Sequence, residues 1–307
     1  TYTGLEQHTS YDFKVETTDI AGNTGRGELK NITTGTVTGL TEANTWFTYS
    51  TTEWTNGNIV ATAHTNVTGY TLQTSKSPTT GYSNTESQTF EENGTIYARV
   101  VDSSGQASGY ATGNITKIDK SIPTFTGAEV KNVSESGYDV YIYGVSDIGS
   151  GVNRVQFPTW TLNNDQDDII WGNGTNQGNG TWYYRVNISD HNYEIGQYVT
   201  HIYIWDNVGN TYSKNLDIQN ISGYTISYNA NGGSGAPASQ TKAYGANLTL
   251  SSTVPTRSGY TFLGWSTSST ATTATYAKGA TYTANMTATL YAVWKIDNVA
   301  PTSPTSS

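Results

Sequence analysis

One short phrase is written three times along this chain. Residues 18–23 read TDIAGN, residues 101–106 read VDSSGQ and residues 205–210 read WDNVGN, at intervals of 83 and 104 residues. Each copy holds Asp-x-x-Gly followed by Asn or Gln. An Asp side chain accepts hydrogen bonds from backbone N–H groups just downstream, Gly takes a positive φ without strain, and Asn tolerates the same region. Each copy therefore predicts a tight hairpin turn.

The residues before each copy alternate with a period of two. SYDFKVETTD sets Tyr11, Phe13 and Val15 against Asp12, Lys14 and Glu16. GTIYARVVD sets Ile96, Ala98 and Val100 against Tyr97 and Arg99, and YVTHIYIWD sets Tyr198, Ile202 and Ile204 against Val199, Tyr203 and Trp205. This is the pattern of strands packed on a core by one face. A polar strand leaves every turn. Strand, Asp turn and return strand at domain-sized intervals predict an array of sandwiches, each closed by one such hairpin.

Composition agrees. A chain of 307 residues holds two to four ordinary domains. Only 13% of residues are charged and Met occurs once, which leaves little material for surface helices. Thr, Ser, Asn, Gly, Tyr and Val dominate, the residues of strands and turns. A net charge of −9 without a basic patch argues against nucleic acid and against an anionic membrane surface as partners. No apolar run reaches the length of a membrane span, so no membrane insertion is expected in this segment. Cysteine is absent, which excludes thiol catalysis and Cys-ligated zinc. A disulfide-free, acidic, Thr/Asn/Gly-rich β chain points to an exported bacterial protein, extracellular and on the cell surface. The chain opens mid-pattern at Thr1 and stops in APTSPTSS, and so reads as a piece of a longer polypeptide.

Four modules and a tail follow. In residues 1–37, Leu5 stands six residues before Tyr11, the spacing of a tyrosine corner, and the stretch resembles the C-terminal part of a fibronectin type III domain. It is too short for a core of its own, so missing strands, or strand addition from another chain, would complete it. Residues 38–119, with GTIYARVVDSSGQAS and NITKIDKSIPTF, resemble the bacterial Ig-like repeats of exported Gram-positive proteins, and Pro123 marks the join that follows. Residues 120–222 carry Phe157, Pro158, Trp160, DQDD at 165–168, Trp171, His191, Gly196, Tyr198, His201, Tyr203 and Asp206. They resemble the Bsp-like repeat of group B streptococcal surface and cell-wall-lytic proteins, which implies a β-sandwich. Residues 223–297 carry Tyr228, Asn229, Asn231-Gly232-Gly233, Gly259-Tyr260, Phe262, Gly264-Trp265, Tyr291 and Trp294. They resemble the Listeria–Bacteroides (internalin B-) repeat, which implies a small β-grasp-like domain, with Trp265 and Trp294 read as core. Residues 298–307 read as a linker. The expected fold is all-β: tandem β-sandwich (Ig/fibronectin-like) domains followed by a β-grasp-like repeat, in an elongated arrangement.

No catalytic set stands out. His8 and His64 are isolated, and His191 and His201 lack the spacing of a metal motif, so structural roles are expected for them. Asp165, Asp167 and Asp168 form the densest cluster of oxygen ligands and are the candidates for calcium. They lack the Gly and distal Glu of an EF-hand loop and equally suit a solvated loop. No other cofactor is expected. Asp19, Asp102 and Asp206 are read as turn residues rather than calcium ligands. Trp160, Trp171, Trp182 and Tyr193 exceed what one small core needs, and aromatic faces flanked by Asn and Asp can stack on sugar rings. Lys131 with Asn215 is a strand-pair candidate for a Lys–Asn cross-link.

The functional expectation is a non-catalytic segment of a modular surface protein, a stalk or adhesin. Its partners would be host or bacterial surface glycans or proteins, held by weak repeated contacts that add through avidity. The alternatives are accessory cell-wall- or glycan-binding modules of a larger hydrolase, or a phage or secretion-apparatus fibre.

Overall fold

The computed structural model describes residues 10–33 and 39–297. Leu5 of the expected tyrosine corner, His8 and the linker 298–307 lie outside the described residues. The chain divides into two compact units, Thr1–Ser121 and Ile122–Ser307.

In the first unit, β1 (Ser10–Thr18) and β2 (Thr24–Thr33) form an antiparallel hairpin with an irregularity between Tyr11 and Phe13. Tyr11 and Phe13 are half-buried but Val15 is 51% exposed, so the described residues cover this apolar face only in part. The next module has β3 (Thr45–Tyr49), β4 (Ile59–Thr65), β5 (Thr71–Ser75), β6 (Ser87–Phe90), β7 (Gly94–Val101) and β8 (Ala111–Ile115). These sort into two sheets, β3-β4-β6 and β5-β7-β8. The alternating face of β7, Ile96, Ala98 and Val100, is buried as expected, and it meets Ile59, Ala61 and Ala63 of β4, which are buried too. Each large aliphatic side chain removed from water in this way contributes about 1.5–3 kcal/mol.

In the second unit the third module contains β9 (Gly127–Ser134), β10 (Gly137–Tyr143), β11 (Val152–Thr161), β12 (Ile170–Asn173), β13 (Thr175–Gly178) and β14 (Thr181–Asn187). A 3-10 turn (Ile188–His191), β15 (Gly196–Asp206), β16 (Thr211–Asn215) and β17 (Gln219–Ile221) follow. One sheet runs β13-β14-β10-β9; the other runs β12-β11-β15-β16, with β17 paired beside the start of β15. Tyr138, Val140 and Ile142 from the first pack on Val155, Phe157, Tyr198, Ile202 and Ile204 from the second. The hydroxyls enclosed between them are satisfied by one another: Tyr138 Oη lies 2.7 Å from Thr200 Oγ1, which lies 2.9 Å from Thr159 Oγ1.

The fourth module consists of β18 (Tyr224–Asn229), β19 (Gln240–Lys242), β20 (Leu248–Thr249), β21 (Tyr260–Ser266), β22 (Thr281–Tyr282) and β23 (Ala288–Ile296). Its main sheet runs β19-β18-β23-β21, and first strand β18 pairs in parallel with last strand β23, from Ile226↔Ala288 to Asn229↔Tyr291. A parallel pairing needs a long crossover, here the whole module between its two ends. Trp265 is fully buried among Ile226, Leu250, Tyr282, Leu290 and Ala292, and Trp294 packs against that cluster while its Nε1 donates to the carbonyls of Ala230 and Asn231. Both tryptophans are core, as read.

The recurring phrase has one geometry. Asp19 Oδ1 accepts from the N–H groups of Ala21 and Asn23 at 2.9 and 2.8 Å, and Asp102 Oδ1 accepts from those of Ser104 and Gln106 at 2.8 and 2.9 Å. Asp206 Oδ1 accepts from Val208, Gly209 and Asn210 at 3.0, 2.6 and 2.8 Å. In all three the Asp N–H donates to the carbonyl of the residue four positions on, and the Gly has φ of 87°, 89° and 96°. Asn23 and Asn210 also donate their side-chain amides to the other carboxylate oxygen; in the middle copy, where Gln replaces Asn, Ser104 Oγ bonds Asp102 instead. These bonds, led by the side-chain donors Asn23 and Ser104, hold the Asp19 and Asp102 carboxyls below their ordinary pKa. A fourth turn of this kind sits at Asp147, whose Oδ2 accepts from the N–H groups of Gly149 and Gly151 at 3.1 and 2.8 Å. Asn207 laces it to the third copy by donating to the Ser150 and Gly151 carbonyls.

Candidate functional site

The third module's larger sheet turns one face to its core and the other outward. On β15 the buried residues are Tyr198, Thr200, Ile202, Ile204 and Asp206, leaving Val199, His201, Tyr203 and Trp205 on the outer side. On β11 the outer positions opposite them are Arg154, Gln156, Pro158 and Trp160, given the register Arg154↔Trp205, Gln156↔Tyr203 and Trp160↔Val199. β12 adds Trp171, opposite Pro158, and Asn173, opposite Gln156. β16 adds Thr211, Ser213 and Asn215, opposite Trp205, Tyr203 and His201. Strand alternation alone thus gathers an aromatic surface from three neighbouring strands, with a polar row from the fourth beside it.

Trp171 is 47% exposed, and its ring lies 5.1 Å from that of Tyr203 at 57°. Trp160 is nearly buried, held edge-on against His201 at 4.8 Å. Burial pushes the His201 imidazole below its ordinary pKa of 6.5, because the charged form loses hydration there. Arg154 lays its guanidinium over Trp205 at 4.6 Å. Gln156 donates its amide to Asn173 Oδ1 at 3.1 Å, fixing a polar pair in the middle of the face.

Of the four aromatics expected to meet a sugar, Trp160 and Trp171 reach this face. Trp182 lies on β14 in the other sheet and packs against the core. Tyr193 follows the 3-10 turn with φ of 58°, and its ring rests against Gly245 of the fourth module. Tyr203, Trp205 and His201 were missing from that set, although their alternation with Ile202 and Ile204 was the signal that would have added them.

The acidic candidates separate. Asp165 and Asp167 are exposed in the loop between β11 and β12. Asp168 turns inward, where it accepts the Thr161 N–H at 3.0 Å and meets Nδ1 of the fully buried His191 at 3.2 Å. His191 packs against inward-facing Tyr198, whereas His201 faces out, so the two histidines stand on opposite sides of the sheet. His64 stacks on Trp46 at 5.5 Å on the second module and places Nε2 2.8 Å from Thr48 Oγ1. The pair Lys131 and Asn215 is not a strand pair: Lys131 lies on β9 and bonds Glu129 at 2.9 Å, and Asn215 lies on β16 of the other sheet.

Residues 128–218 match the family model of the GBS Bsp-like repeat. Residues 224–293 match that of the Listeria-Bacteroides repeat domain. Repeats of both kinds are typical of bacterial surface proteins. Among solved structures, the chain is similar to the FN1–FN3 domains of chicken CNTN1 (12% identity, TM-score 0.26, covering 67% of this chain and 77% of that one). It is also similar to chitinase ChiA74 from Bacillus thuringiensis (14% identity, TM-score 0.18), covering 56% of this chain and 27% of that one. No curated protein matches. Among the described residues no helix is long and apolar enough to cross a membrane.

Proposed function

We propose that this chain is a non-catalytic segment of an extracellular modular surface protein, working as a stalk or adhesin, and that the outer face of its third module holds a glycan. The observation that carries this reading is the surface built by Trp171, Tyr203 and Trp205, with the Gln156–Asn173 pair set among them and Ser213 and Asn215 at the side. Aromatic rings offer a broad apolar platform at low conformational cost, and amide and hydroxyl groups at the same level can exchange hydrogen bonds with sugar hydroxyls. A flat, open face suits a polymer lying across it better than a small molecule, which needs a concave pocket. Weak binding at such a face gains strength when many copies of the protein meet many copies of the glycan.

A glycan array probed with the full chain, beside Trp171→Ala and Tyr203→Ala, tests the proposal. Binding to at least one glycan class, reduced tenfold or more by each substitution with unchanged near-ultraviolet circular dichroism, is expected. No binding to any glycan, or binding indifferent to both substitutions, refutes it.

A further inference from the structure

The polar groups on the aromatic face carry a sign. None of the outward positions on β11, β12, β15 and β16 is Asp or Glu, in a chain whose net charge is −9. The one permanent charge there is the guanidinium of Arg154. Some cations of the molecule are paired with acids, Arg26 with Glu16, Lys131 with Glu129 and Arg185 with Asp139, while Arg99 and Arg257, like Arg154, lie over an aromatic ring instead. Arg154 has no ion-pair partner among the described residues. It is exposed, and it donates only long bonds to neutral amides, 3.3 Å to Gln156 Oε1 and 3.4 Å to Asn153 Oδ1. With one flat side on Trp205, the guanidinium keeps its edge donors for an acceptor at the level of the aromatic surface.

Resting on the glycan reading above, we propose that the ligand is an acidic glycan, a polymer whose sugar rings bear carboxylates, and that Arg154 is the residue that selects it. A guanidinium fork meets a carboxylate through two parallel N–H···O bonds. Arg154 stands two residues along β11 from Gln156, the position opposite Tyr203, roughly 7 Å away. A polymer with one ring resting on Tyr203 and running along β11 carries the carboxylate of a following ring within the swing of the long Arg154 side chain. A carboxylate attached to the sugar keeps successive rings adjacent, as this row of aromatics requires; a phosphodiester in the backbone would insert a flexible spacer between them. Trp205 shields one side of the ion pair from water, which strengthens it relative to a fully solvated one.

The test titrates the full chain with three probes: an oligouronate, its methyl ester as the neutral isostere, and a phosphodiester-linked sugar polymer. The oligouronate is expected to bind at least tenfold more tightly than the ester, with a preference that shrinks as salt is raised. Arg154→Gln should bring acid and ester within twofold of each other while binding to the ester persists; Lys131→Gln, on the other sheet, should change neither. Equal affinity of the wild type for acid and ester, tighter binding of the phosphodiester polymer, or an acid preference that survives Arg154→Gln would each overturn the selection by Arg154 and leave the glycan reading standing. Failure of the wild type to bind any glycan would overturn both.

Discussion

Replacing Asp206 by Ala should unhook the end of the third module. Asp206 is 3% exposed and its Oδ1 accepts three backbone N–H groups. Gly209 is exposed, so water can take over its N–H, but those of Val208 and Asn210 belong to half-buried residues. Counting only these two, at about 1.5 kcal/mol for each bond to a charged acceptor, gives a loss of about 3 kcal/mol. In a unit of this size that lowers the midpoint by about 6–12 °C. Asp206→Asn keeps an oxygen for the same N–H groups but faces its new amide toward the Asn210 amide, and should cost about half as much. Scanning calorimetry gives the midpoints, and hydrogen exchange over β15 and β16 locates the loss. A midpoint for Asp206→Ala within 1 °C of wild type, or an Asn variant no better than the Ala variant, would refute the view that this carboxylate holds the turn by backbone bonds.

Three further outcomes are expected. Gly137 has φ of 129° and an added Cβ would sit 1.9 Å from the Val186 carbonyl oxygen, whereas Gly196, at φ of 125°, has nothing within 4 Å. Gly137→Ala should therefore cost about 3–5 kcal/mol in urea unfolding and Gly196→Ala about 1–2 kcal/mol, and equal costs would remove the steric argument. Asp168→Ala strips the Thr161 N–H and the buried His191 of a shared partner and should cost about 2–4 kcal/mol, with faster proteolysis in residues 162–169; an unchanged cleavage rate speaks against that anchoring role. The His201 imidazole should titrate below 6.5 by NMR. Its folded pKa is depressed, so its contribution to stability is complete above 6.5 and is lost as pH falls through the lower, folded value; a measured pKa at or above 6.5 contradicts burial as the cause.

Much of the fold was written locally. The alternation before each Asp turn gave the buried faces of β7 and β15, and the turn itself gave their closing hairpins, because both are settled by residues within a few positions of one another. The Asp147 turn does not show the phrase, since Ser150 and Gly151 stand where the other copies have Gly and an amide side chain, although its carboxylate accepts the N–H groups two and four residues on as Asp19 and Asp102 do. Sequence cannot say which sheet Trp182 joins, because it opens the run Trp182-Tyr183-Tyr184, where three aromatics in a row erase the alternation that separates inside from outside; the fold puts it half-buried on β14, away from Trp160 and Trp171. Asp168 was grouped with Asp165 and Asp167 by proximity in sequence; its partner His191 is 23 residues away, and only the folded chain joins them. The aromatic face was half legible for the same reason: Tyr203 and Trp205 stood on the correct side of their strand, but nothing local says that β12 brings Trp171 beside them.

The parallel pairing of β18 with β23 has a mechanical consequence. In a tethered protein, force enters a module at one end of the chain and leaves at the other. Because its first and last strands lie side by side and run the same way, tension on the fourth module slides them lengthwise past each other, so the bonds between Ile226–Asn229 and Ala288–Tyr291 bear the load together. A hairpin such as β1-β2, pulled from its two adjacent ends, opens one rung at a time. Pulled lengthwise by its two ends, the fourth module would resist where the hairpin yields.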